Sequence, residues 1–261
     1  MRWASTAGCL AIAVPGLAIV GELIAPHVPT EIIGMPYASP GGTAPLGTDG
    51  LGRDVLSRVL AGGRSLVLIA LVAALLATFL GVAGGLLAGW TDRWPSRLLT
   101  ALADVLLATP LLLLALVLAV SLPGNAAVVT STVCGGAPLT LRVVRDATRL
   151  SRRSGYVEAA RGRGERGSAI LVREILPSLT GLISADLGMR FVVAVQIAAA
   201  LSLFGFGTQP PAADWALMIR ENLPGSGLNA ACMIAPATAL AVLTAAVAGA
   251  ASLADANPGS A

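Results

Sequence analysis

The feature that most constrains this chain is its long runs without a single Asp, Glu, Lys or Arg. Residues 3–21 and 65–91 are free of charge, and between Arg97 and Arg142 the only charged residue is Asp104. A helix crosses a bilayer with roughly 20 apolar residues, and only helices or closed barrels satisfy their backbone there. The composition agrees: 56% of the 261 residues are hydrophobic and 12% are charged, with mean hydropathy +0.82. Soluble domains carry about 25% charged residues. The polar residues are too few to coat a water-soluble globule, which excludes a soluble enzyme, and such an apolar chain is not disordered. The expected class is an all-α membrane protein.

Six spans are expected, near residues 4–25, 65–89, 98–121, 126–146, 177–204 and 229–252. The first is too long for a secretory signal and lacks a clear cleavage site. The 97–142 stretch is too long for one crossing, and Ser121-Leu122-Pro123-Gly124-Asn125 divides it with a turn signal. Gly135, Gly136 and Pro138 make the fourth span the weakest helix. Arginine counts set the orientation. The stretch from Arg142 to Glu174 holds nine arginines against four acids, and the 90–97 turn adds Arg93 and Arg97. The positive-inside rule places these loops and both termini in the cytoplasm, in a multi-pass protein of the cell membrane. The 27–64 and 206–228 loops then face outward.

The charged residues exclude further chemistry. All 17 basic residues are arginine. Without lysine there is no P-loop lysine and no Schiff base. The single His27 leaves no multi-histidine metal site. Cys9, Cys134 and Cys232 lie far apart in apolar stretches with no ligand spacing. No metal ligand set, bound cofactor, catalytic residue or nucleic-acid partner is expected. The Gly162-x-Gly164-x-x-Gly167 run matches a dinucleotide pattern but lacks its strand–turn–helix setting.

Two loops carry specific patterns. In the outer one, Leu51, Val55 and Val59 recur every four residues, and Asp49–Arg53 and Asp54–Arg58 are acid-before-base pairs four apart. The pattern predicts a short amphipathic helix over 48–61, capped by Thr48 or Asp49. In the inner loop a short helix is expected over 156–162, capped by Ser154, with a bend at Gly164. Three charges fall inside spans, where they are costly and are usually paired or facing a cavity. Asp186 and Arg190 can neutralise each other at four residues' spacing, whereas Asp104 has no partner nearby in sequence.

Together these loops resemble one family, the permeases of binding-protein-dependent ABC importers. Glu158-Ala159-Ala160, Gly164 and Leu176-Pro177 resemble its EAA motif. Leu46-Gly47-Thr48-Asp49, Gly52-Arg53-Asp54 and Ser57-Arg58 resemble the signature of its dipeptide/oligopeptide/nickel branch, in particular the second, C-type permease. A third match runs from Leu201-Ser202-Leu203-Phe204-Gly205 through Gln209-Pro210-Pro211 to Trp215.

The resemblance, from about residue 45 onward, implies a type I importer permease. Residues 1–44 would form the first span and the start of the outer loop, and 45–261 the permease domain, with outer helix 48–61 and EAA loop 147–176. Tyr156, Glu158, Ala159, Ala160, Arg161, Gly164, Arg166, Leu176 and Pro177 would couple the chain to the ATPase, Glu158 capping or bridging within the joint. Thr48, Asp49, Gly52, Arg53, Asp54 and Arg58 would dock the binding protein or form an outer gate. Asp104, Gln196 and Ser202 are pathway candidates.

The implied partners are a second homologous permease, one or two cytoplasmic ABC ATPases that hold the ATP and Mg, an extracytoplasmic substrate-binding protein and membrane lipid. The implied cargo is short peptides, with haem, nickel or glutathione-like cargo as alternatives. Three features depart from the pattern: Ala198 stands where the family usually has Glu, Ala216 follows Trp215 where the family has Gly, and the tail reads Leu253-Ala254-Asp255 before Asn257 and Pro258. The rival class is a self-contained secondary transporter, which needs no coupling helix. An intramembrane enzyme is disfavoured because the chain lacks lysine and a paired nucleophile.

Overall fold

The computed structural model describes residues 2–256, and the chain is helical through most of that length. The tail positions Asn257 and Pro258 lie outside the described residues. The helices are α1 (Arg2–Val20), α2 (Val55–Trp90), α3 (Trp94–Ala108), α4 (Leu111–Ser121), α5 (Gly124–Ser151), α6 (Gly155–Gly162), α7 (Gly167–Ile170), α8 (Leu176–Ser178), α9 (Thr180–Leu203), α10 (Trp215–Asn222) and α11 (Ala231–Ala256).

Four of these, α2, α5, α9 and α11, are long and apolar enough to cross a membrane. The expected third span is broken: α3 and α4 meet at a 90° bend. The cause is Pro110, which cannot donate the next helical bond and pushes Thr109 into an extended conformation (ψ 127°). With that pair counted as one span, the total among the described residues is five. At the first expected span, α1 runs Arg2–Val20 and Gly21–Ile24 continues it as a tight 3-10 turn. By contrast, the fourth stays helical from Gly124 through Pro138 to Ser151, despite its glycines.

The expected outer helix over 48–61 does not exist as a separate element. Residues 46–54 are an irregular loop, and the helix that starts at Val55 continues unbroken to Trp90. Gly47 (φ +74°) and Gly52 (φ +78°) take a left-handed backbone that a right-handed helix cannot contain. The cap is neither Thr48 nor Asp49 but Asp54, whose carboxylate accepts from the amides of Leu56 and Ser57.

α2 is the central rod. It packs along α5 through small residues: a methyl group on Gly85 or Gly89 would lie 2.7 or 2.6 Å from the Cβ of Val144 or Thr148. Such close approach is how helices associate where no hydrophobic effect separates them from lipid. The main core joins Leu66 and Val67 of α2 to Phe191, Val195 and Leu201 of α9, Trp215 and Met218 of α10, and Leu243 of α11. A second cluster, at the arginine-rich end, holds Val144, Val157, Ala160, Ile170, Ile175 and Leu179.

Candidate functional site

The arginine-rich end is built around α6. Val157 and Ala160, three residues apart, are fully buried in the second cluster. That leaves Tyr156, Glu158, Ala159 and Arg161 on the outward face. Gly164 follows with φ +78°, and the chain turns there as the sequence requires. Gly164 and Arg166 are exposed, Leu176 is half-buried and Pro177 is exposed, so eight of the nine expected coupling positions are surface residues of this lip, whereas Ala160 is fully buried. One detail differs from expectation: the Ser154 hydroxyl donates to the Ser151 carbonyl rather than capping α6. Glu158 is exposed and makes no ion pair among the described residues. Arg163 instead pairs with Glu165 at 2.7 Å.

Trp90, at the end of α2, ties this lip to the spans. The Arg161 guanidinium sits 4.9 Å from the centre of its ring, and Arg152 donates to its carbonyl at 2.7 Å. Asp92, two residues on, takes Arg149 and Arg152 at 3.0 and 3.1 Å. The hydrogen bond and charge of Arg152, with a smaller contribution from Arg149, hold the Asp92 carboxyl below the usual carboxylate range. Sequence reasoning missed Trp90, because no pattern in a single sequence links residue 90 to residue 161.

At the opposite end, the six expected docking positions are turned inward. Thr48, Asp49, Arg53, Asp54 and Arg58 are at most 4% exposed, and Gly52 is buried as well. They cannot be the contact surface for a partner in this state. They form a closed network instead. Asp49 takes Arg53 at 2.7 Å and Arg58 at 2.5 Å, and both arginines reach Glu221 on α10, at 3.2 and 3.1 Å. The expected Asp54–Arg58 pair does not form, because Asp54 is occupied by its helix cap, by the Ser57 hydroxyl and by His27 at 3.3 Å. Burial pushes the Asp49 carboxyl up. The amides of Arg53 and Leu51 and the charges of Arg58 and Arg53 outweigh this and hold it below the usual range.

The neighbouring loop is bound to the same network. Asn222 accepts from the Gly50 amide at 3.0 Å, and Asn229 donates to the carbonyls of Leu46 and Thr48, each at 3.1 Å.

The three pathway candidates do not converge. Gln196 is exposed on α9, in a stripe with Met189, Val193, Ala200 and Leu203. Ser202 is buried and lines a cavity of about 10 Å³ with Ala198, Asn125, Thr208 and Asp214. Asp214 caps α10 through the Leu217 amide at 2.9 Å, and burial pushes its carboxyl up. A carboxylate is therefore present beside Ala198, but it arrives from the following loop rather than from α9. Asp104 is exposed and pairs with Arg142 of α5 at 2.6 Å, a partner 38 residues away that sequence spacing could not reveal. The Asp186–Arg190 pair forms as expected, at 3.0 Å, with the Thr140 hydroxyl donating to Asp186. Among the described residues no three His, Cys, Asp or Glu side chains gather as a metal site.

Residues 81–256 match the family model described as the binding-protein-dependent transport system inner membrane component. Among curated proteins, the glutathione transport system permease protein GsiD of Shigella flexneri is 40% identical over 176 residues, covering 67% of this chain and 58% of the relative. The protein of the same name from Pectobacterium atrosepticum is 33% identical over 177 residues, covering 67% and 59%. The matched part of this chain thus spans less than two thirds of the length of these relatives. Among solved structures, a chain of the MetNI methionine ABC transporter in an inward facing conformation superposes with TM-score 0.63 at 17% identity, covering 78% of this chain and 97% of that one. That likeness shows a shared fold.

Proposed function

The chain belongs to the family of binding-protein-dependent transport system inner membrane components, and on that premise we propose that it is a non-catalytic permease subunit of an ATP-driven ABC importer for short peptides. The observation that carries the reading is α6. A helix of eight residues seats Val157 and Ala160 in the protein and leaves Glu158, Ala159 and Arg161 exposed. Such a helix fits a groove on a cytoplasmic ATPase. The ATPase supplies ATP hydrolysis, and closure of its dimer pushes on α6. Trp90, stacked against Arg161, carries the push into α2.

A second permease lies against this one, with the path between them, and the α9 stripe around Gln196 is suited to that seam. The arginine-rich loops and both termini face the cytoplasm, and the Asp49–Arg58–Glu221 network closes the extracytoplasmic end. The network is an outer latch: its buried ion pairs hold the 46–54 loop on α10, and a binding protein acts on it from outside. The similarity to permeases named for glutathione transport supports glutathione-like cargo as the alternative to other short peptides.

The reading is tested by purifying the tagged chain in mild detergent from its own host. Co-elution of a second permease and an ATPase, with vanadate-sensitive ATP hydrolysis, supports it. Elution of a stable chain alone, with no hydrolysis, would leave a self-contained transporter.

A further inference from the structure

The Asp104–Arg142 pair is out of keeping with the other charges in the spans. Asp186 and Arg190 are sheltered, with 9% and 11% of their side chains exposed, whereas Asp104 and Arg142 are 60% and 46% exposed. The pair also lies deep. Arg142 is seven residues from Arg149 along α5, about 10 Å further from the belt where Asp92 holds Arg149 and Arg152. A lipid headgroup belongs at that belt, not 10 Å beneath it. Exposed charges at such depth face a water-filled cavity or another protein, because facing acyl chains is too costly.

Beside the pair lies an apolar cavity of about 170 Å³. Leu99, Leu102 and Leu106 of α3 line it with Cys134, Pro138 and Leu141 of α5. It is smaller than the usual 300–1,000 Å³ of a small-molecule site and accommodates a single side chain rather than a whole ligand. Ala103 and Leu141, the chain neighbours of the two charges, are in its wall.

We propose that Asp104, Arg142 and this cavity form a cargo subsite on the translocation path for a short peptide with free ends. The inference rests on the importer reading above. Asp104 takes the peptide ammonium, Arg142 takes its carboxylate, and an apolar side chain enters the cavity. When no peptide is bound the two residues neutralise each other, so the empty path carries no unpaired charge. Binding exchanges one ion pair for two and leaves the net charge unchanged.

Cys134 in the cavity wall is a built-in reporter. The experiment uses the assembled transporter with its ATPase and binding protein in liposomes. Alkylation of Cys134 is followed by mass spectrometry during turnover with Ala-Leu, with its N-acetyl form and with its C-terminal amide. Ala-Leu at about ten times its Kd should slow alkylation about tenfold, the effect expected when occupancy blocks the thiol. The blocked forms should protect far less. Asp104→Asn and Arg142→Gln should abolish protection, with co-elution of the second permease as the check on assembly.

Equal alkylation with and without peptide, in a transporter that imports Ala-Leu, would overturn the subsite and leave the importer reading intact. Failure of the purified complex to import any peptide would instead count against that reading. Full protection by Ala-Leu in Asp104→Asn and Arg142→Gln would show that the pair does not hold the peptide ends and would also overturn the subsite.

Discussion

Arg58 and Trp90 stand about 48 Å apart on one helix without a proline or a break, α2. Arg58 is fully buried in the network with Asp49 and Glu221. Trp90 stacks on Arg161 of the exposed helix α6. One rigid element therefore joins the two loops that carry the family's patterns, and a displacement of α6 reaches the opposite end without crossing a hinge. The predictions below follow from that relationship and from the groups at its two ends.

Trp90→Leu should loosen the joint between α6 and α2 without unfolding the spans. The cation–π contact is worth about 0.5–1 kcal/mol at an exposed site, and lost packing of the half-buried ring on the second cluster adds about 1–2 kcal/mol, which leaves the spans folded. ATP hydrolysed per peptide imported should rise several-fold in proteoliposomes. An unchanged ratio would show that α2 does not carry the motion.

Gly164→Val should uncouple transport while leaving membrane insertion intact. A β-branched residue at φ +78° costs about 1–3 kcal/mol and would re-aim the lip after α6. Uptake should fall and ATP hydrolysis persist. Normal uptake by this variant would sink the coupling assignment.

The two buried carboxylates Asp49 and Asp214 should give pH dependences of opposite sign. Asp49 has a lowered pKa, so its stabilisation is in place above the ordinary carboxylate value and is lost as pH falls through its folded value. Asp214 has a raised pKa, so the folded state is favoured with the proton on and loses stability as pH rises through that higher value. Thermal unfolding in detergent, scanned over pH, should show Asp49→Asn destabilising at neutral pH by about 3–5 kcal/mol, the usual cost of breaking a buried pair. That deficit should shrink in acid. Asp214→Asn, which keeps a capping oxygen, should remove the decline with rising pH.

The sequence revealed the class, the bend at Gly164, the helix over 156–162 and the Asp186–Arg190 pair, because each rests on local spacing or on a charge that lipid does not tolerate. It misjudged the loop at 46–54. The i,i+4 pairs there suggested a helix, but left-handed Gly47 and Gly52 break it, and Glu221, a residue 168 positions from Arg53, decides where the arginines point. The broken third span was legible in Pro110, had its effect on Thr109 been weighed. Neither Arg142 as the partner of Asp104 nor Asp214 beside Ala198 has a local signal, since both contacts are made only by tertiary packing.

The central claim is that α6 is the joint with an ATPase, and cysteine cross-linking tests it most directly. In a chain with Cys9, Cys134 and Cys232 replaced, Glu158→Cys should cross-link to the co-purifying ATPase within the assembled transporter, and bound ATP should change the yield. Val157→Cys, on the buried face, should not cross-link. Cross-linking from Val157 and none from Glu158, in a transporter that still imports peptide, would contradict the account.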